Sequence, residues 1–163
     1  MNIIVTIEGV LRNTDNDGPI PAGKALYQAL GSQHSIYLVS DSTDEWRTNR
    51  WLAHNGLTLH MRTVHNRTPT DWRDTSLIRL DAVSQLAGGG VNVDLVVEPD
   101  PGISAKLVAA GFPTATLTLP HFAKPEWRPD FDQGLRSWDA LVGEMESQAD
   151  AYASDTRRTA DPL

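Results

Sequence analysis

Residues able to do chemistry stand at the ends of apolar runs. Ile3-Ile4-Val5-Thr6-Ile7 leads into Glu8-Gly9, and Val93 to Val97 leads into Glu98-Pro99-Asp100-Pro101-Gly102. A buried parallel strand that delivers an acidic loop to an active site has this pattern. Ser35-Ile36-Tyr37-Leu38-Val39 ends likewise in Ser40-Asp41-Ser42-Thr43, a cluster of helix N-capping type. A carboxylate such as Glu8 can act as a general base.

Other templates fit worse. The first strand is not followed by Gly-x-Gly-x-x-Gly, and there is no phosphate-binding Gly-x-x-x-x-Gly-Lys-Ser/Thr or Gly-x-Ser-x-Gly elbow. His54, His60 and His65 lack ligand spacing, and His34 and His121 lie apart from them. Asp15-Asn16-Asp17-Gly18 resembles part of a calcium loop, without its distal glutamate.

The elements that would position these residues alternate. The first strand is expected over residues 2–7, followed by an exposed, turn-rich loop over 12–20. Pro21 opens a helix that Gly31 ends, and the second strand runs from Ser35 to Val39. A helix then reaches about His54, with Trp51 and Leu52 facing the core. Leu57 to Val64 suits a third strand, Asp74 to Leu86 a helix broken by Gly88-Gly89-Gly90, and Val93 to Val97 a fourth strand. Ile103 to Ala110 and Thr114 to Leu119 add a short helix and a fifth strand. This order predicts an α/β fold: a doubly wound, Rossmann-like five-stranded parallel sheet with helices on both faces. In such a sheet the Thr6–Gly9 and Glu98–Gly102 loops converge if the first and fourth strands are neighbours.

The domain is expected to span residues 1–149. It includes an extended, proline-rich arm over 120–134, with Pro120, Pro125 and Pro129, and a final helix over 135–149. Residues 150–163 are expected to form a disordered tail. The arm and final helix, with Trp127 and Arg128 in the arm, are the expected surface for a protein partner.

The 163 residues suit one core, and 40% hydrophobic with 21% charged residues suits a globular chain. A net charge of -7 argues against non-specific nucleic-acid binding, which draws on a basic surplus. The absence of cysteine excludes disulfides and thiolate metal sites. Neither a signal peptide nor a membrane span is expected, and the expected location is cytoplasmic.

Four stretches resemble, in order, the motifs of the haloacid dehalogenase-like (HAD) hydrolases, and together they cover most of residues 2–119. The Thr6-Ile7-Glu8-Gly9-Val10-Leu11 run is similar to the family's Asp-x-Asp-Gly motif, with Thr6 in place of the aspartyl nucleophile and Glu8 in place of the acid/base. Ser40 matches the hydroxyl that closes the second motif and implies a phosphate contact at a helix N-terminus. Arg73 stands where the family places a charge-offsetting Lys or Arg, with Arg67 the substitute. Glu98 and Asp100 stand in the acidic loop that supplies magnesium ligands, with Glu8 the third candidate. The family's second spaced acid falls near Gly102, so one ligand is lost. A weakened Mg2+ site is therefore implied. Plainer roles stand beside these: a helix cap for Ser40, a surface arginine for Arg73, and a proline-stiffened turn for Glu98 and Asp100. The stretch from Pro120 to Met145 resembles HAD-like proteins of bacteriophages, which would imply a virion-associated location.

The family's reaction needs a carboxylate that attacks phosphorus and becomes an acyl phosphate. A threonine hydroxyl has a high pKa, and the sequence puts no evident base beside Thr6. Three readings follow. The first is a degenerate HAD-like domain with little or no phosphatase activity, kept for binding or assembly. The second is an atypical magnesium-dependent phosphohydrolase acting through Glu8, Glu98 and Asp100 on a small phosphorylated metabolite or nucleotide. The third is a structural or interaction protein of a larger assembly, a viral one if the bacteriophage resemblance holds.

Overall fold

The computed structural model describes residues 1–67, 75–117, 142–143 and 145–147. Its elements alternate along the chain: β1 (Asn2–Thr6), α1 (Pro21–Gly31), β2 (Ser35–Ser40), α2 (Glu45–His54), β3 (His60–His65), α3 (Thr75–Gly88), β4 (Leu95–Glu98), α4 (Pro101–Ala109) and β5 (Thr114–Thr116). The sheet order is β3-β2-β1-β4-β5, and every pairing is parallel. The central position of β1 follows from its sequence. A strand covered on both faces needs apolar side chains at odd and even positions alike, and Ile3, Ile4 and Val5 are all buried.

Those alternate positions feed two cores. Ile3 and Val5 join Ile36, Leu38 and Val97 on one face, under Tyr27 of α1 and Leu52 of α2. Ile4 joins Val39, Val64 and Val96 on the other, under Ala82, Val83 and Leu86 of α3 and Ile103 and Leu107 of α4. Helices thus cover both faces, as the alternation predicts.

The boundaries differ locally. β3 begins at His60 and β4 at Leu95, both later than their apolar runs. α4 begins at Pro101, two residues early, because Asp100 caps it: its carboxylate accepts from the Gly102 and Ile103 amides. Asp44, rather than the Ser40–Thr43 cluster, caps α2 by accepting from the Arg47 amide.

The 12–20 loop is not wholly exposed. Arg12 is buried at 7% exposure. Its guanidinium stands 5.4 Å from the Trp51 ring, whose indole N–H donates to the Asp17 carbonyl at 2.7 Å. Those contacts fold the loop back on α2. Gly23 permits a further close approach, since a Cβ there would lie 1.7 Å from the Val10 carbonyl oxygen.

The arm (120–134) and the tail (150–163) lie outside the described residues. So does most of the final helix, of which 142–143 and 145–147 are described and helical. Among the described residues, no helix is long and apolar enough to cross a membrane.

Candidate functional site

Parallel strands all point the same way, so their carboxyl ends share one rim of the sheet. With β1 flanked by β2 and β4, the exits of these three strands are neighbours. Gly9 lets two of them touch. Its φ of +87° belongs to the left-handed region, and a Cβ there would lie 2.7 Å from the Pro99 Cγ. The Thr6–Gly9 and Glu98–Gly102 loops therefore meet.

Glu98 is the centre of the cluster and is fully buried. Its Oε2 accepts from the Thr6 hydroxyl at 2.8 Å, and its Oε1 accepts from the Asp100 amide at 3.0 Å and from Arg79 Nη1. Burial pushes the Glu98 carboxyl up to about 7, against the pull of the Arg79 guanidinium and of the donors from Asp100 and Thr6.

Arg79 projects from α3 and is buried. Its Nε and Nη2 form a fork onto Asp41, at 3.1 and 2.8 Å, and Nη2 also reaches the Glu8 carbonyl oxygen at 3.4 Å. Burial works against its charge, but Glu98, Asp41 and Glu8 outweigh burial and raise the Arg79 pKa above the ordinary arginine range. One guanidinium thus links the exits of β1, β2 and β4.

Glu8 is also held from several sides. Oε1 accepts from Arg12 Nη2 at 2.5 Å and from the Ser40 hydroxyl at 2.9 Å, while Oε2 accepts from the Asp41 amide at 2.9 Å. Ser40 is fully buried, and its oxygen in turn accepts from the Ser42 amide at 3.2 Å.

The structure therefore brings Thr6, Glu8, Ser40 and Glu98 into one cluster. Asp100 adjoins it through its backbone, while its carboxylate is turned to the start of α4. Arg73 lies outside the described residues, and Arg67 lines a groove along β3. Sequence reasoning missed Arg79, Arg12 and Asp41. It also missed that Thr6 has a carboxylate beside it, namely Glu98.

As arranged, this donor set does not fit magnesium. Such an ion needs several oxygens turned to a common point. Here the Glu8 and Glu98 carboxylates are turned to guanidinium, hydroxyl and amide groups, and Asp100 caps a helix. Among the described residues, no three His, Cys, Asp or Glu side chains group as a metal site.

A groove lies away from this cluster. With a volume of about 520 Å³, it runs along β3 and is lined by His60, Arg62, His65 and Arg67, with Glu45 its acidic member. The Nδ1 of His65 and the Oγ1 of Thr63, both lining residues, are buried without a hydrogen-bond partner. Burial lowers the His65 pKa, against the charges of Glu45 and Glu8.

No family model matches the chain, nor does any curated protein. Solved structures do. A chain of the Pnkp1/Rnl/Hen1 RNA repair complex aligns with a TM-score of 0.60 at 16% identity, over 71% of this chain and 42% of that one. A chain from another structure of a Pnkp1/Rnl/Hen1 complex aligns with a TM-score of 0.58 at 15% identity, over 71% of this chain and 45% of that one. This chain thus spans less than half the length of either. At such identities the likeness speaks to the fold alone, a parallel α/β sheet with helices on both faces.

Proposed function

We propose that this chain is a HAD-like domain with little or no phosphatase activity, kept for binding or assembly. The observation that carries this reading is the state of Thr6. At the position that the family resemblance gives to the nucleophile stands a buried threonine, whose hydroxyl donates to a carboxyl group that is itself paired with Arg79. Acyl-phosphate chemistry needs a carboxylate free to reach phosphorus. Glu8, with three partners on its two oxygens, is held as a structural acceptor rather than as a base facing water.

Binding has support of a different kind. In a protein of net charge -7, the groove along β3 sets the charges of Arg62 and Arg67 against Glu45, with His60 and His65, whose pKa values burial lowers, as uncharged hydrogen-bonding groups. That balance suits an anionic ligand or an acidic partner segment. The solved structures of similar fold are parts of a protein complex, which is consistent with a role in assembly.

The alternative is an atypical metal-dependent phosphatase acting on a small phosphorylated metabolite or nucleotide. The Thr6–Glu98 contact favours it, because a carboxyl near neutrality could accept a proton from that hydroxyl. The experiment is hydrolysis of p-nitrophenyl phosphate and a panel of phosphorylated metabolites with Mg2+, comparing wild type with Glu8→Gln. The expected result is no release of phosphate above buffer from either protein. Turnover at ordinary enzymatic rates that Glu8→Gln abolishes would replace this reading with the alternative.

A further inference from the structure

We infer that Arg79 is a built-in replacement for a divalent cation, so that the cluster at the exits of β1, β2 and β4 is held together without metal. Three oxygen groups from three loops converge on its guanidinium: the Glu98 carboxylate, the Asp41 carboxylate and the Glu8 main-chain carbonyl. The Thr6 hydroxyl lies one bond further, on the other oxygen of Glu98. These are hard oxygen donors of the type that calcium, manganese and magnesium select. A cation drawn to them would have to occupy the volume that the guanidinium fills. Arg79 cannot release its proton at any ordinary pH, so its charge is permanent. Its planar fork also satisfies two oxygens of one carboxylate, which a single lysine ammonium does not do as well.

The inference concerns the same site as the proposed function and rests on the placement of its residues. Their failures are distinguishable. Metal-dependent turnover sinks both, whereas stoichiometric metal binding by an inactive wild-type protein sinks this inference alone.

The test uses the full chain and Mn2+ as the probe, followed by electron paramagnetic resonance and by thermal melting with Mn2+ or EDTA. Wild type is expected to bind no stoichiometric Mn2+ and to melt at the same temperature in both conditions. Arg79→Ala is expected to gain about one Mn2+ site per chain, roughly tenfold or more tighter than any wild-type binding. Its melting temperature is expected to rise with Mn2+. The double variant Arg79→Ala, Glu98→Gln is expected to lose that gain. Arg47→Ala controls for loose binding to an acidic surface, since it removes an exposed cation from the half-exposed Asp17 carboxylate, which keeps its longer pair with Arg12, and leaves the bonds to Arg79 intact. Should Arg79→Ala be unfolded on its own, Mn2+ is expected to refold it. Stoichiometric Mn2+ binding by wild type overturns the inference. So does an Arg79→Ala protein that folds without gaining a site, or one that stays unfolded in millimolar Mn2+.

Discussion

The Thr6 hydroxyl donates to Oε2 of Glu98 at 2.8 Å, across the boundary between β1 and β4. Because Glu98 is fully buried and its other oxygen is bound by Arg79, the contact ties a central strand to a carboxyl group that has no access to water. Four expected outcomes follow from this arrangement and from the packing around it.

Arg79→Met keeps the length of the side chain and removes its charge. Glu98 and Asp41 then lose their cation while Glu98 stays buried. Breaking a buried pair from one side costs about 3–5 kcal/mol. Urea unfolding is expected to show a loss of that order, and Arg79→Lys a smaller one. A midpoint unchanged in Arg79→Met would show that the network adds nothing to stability.

The pH dependence has a definite sign. Glu98 rises from an ordinary value of 4.5 to about 7 in the folded protein. Below the lower value, both folded and unfolded chains hold the proton, and the contribution is fully present. Between the two values only the folded chain holds it, so stability falls as pH rises, and above about 7 the contribution is gone. The change is roughly 3 kcal/mol at most. Denaturant titrations at several pH values are expected to show this slope in wild type and a flatter one in Glu98→Gln. A rise in stability across the window, unchanged by Glu98→Gln, counts against it.

Two glycines are expected to respond in opposite directions to alanine. A Cβ on Gly23 would meet the Val10 backbone oxygen at 1.7 Å, which neither α1 nor the loop can accommodate without shifting. The loss is expected to be on the order of 3 kcal/mol. Gly88, at the end of α3, has nothing within 4 Å of an added Cβ. Alanine there is expected to stabilise by about 0.5 kcal/mol, by restricting the unfolded chain. Thermal melting of the two variants beside wild type checks both signs.

Ser40→Ala separates a structural serine from a phosphate-binding one. The hydroxyl donates to charged Glu8 and accepts from the Ser42 amide. Its removal is expected to cost roughly 2 kcal/mol, the range for a hydrogen bond to a charged group. Added phosphate is expected to protect wild type and Ser40→Ala equally from thermal unfolding. Protection confined to wild type would restore the phosphate contact.

The parallel sheet was legible because fully buried strands and two-sided helix packing leave simple marks. Three consecutive apolar residues in β1 cannot sit on a sheet with a wet face, and Glu8 and Glu98 stand where their apolar runs end. The network was less legible, because ion pairs join residues far apart in the chain. Arg79 did leave a trace. Ser76, Arg79, Ala82, Val83 and Leu86 recur at helical spacing on the buried side of α3, and an arginine on such a stripe needs a carboxylate partner. Arg12 left a fainter one, four residues after Glu8 and directly behind buried Val10 and Leu11. Which carboxylates these arginines meet depends on the strand order, and local periodicity does not carry that information.

The shared guanidinium also bears on how this chain can change over generations. An aspartate at position 6 would set a second buried carboxylate against Glu98 while Arg79 is already committed to Glu98 and Asp41. Losing Arg79 first would strand those same two acids. Each single step towards a carboxylate-bearing, metal-loaded rim therefore passes through a less stable protein, and only coordinated replacements avoid the dip. The cluster is thus simple to keep, and hard to change one residue at a time.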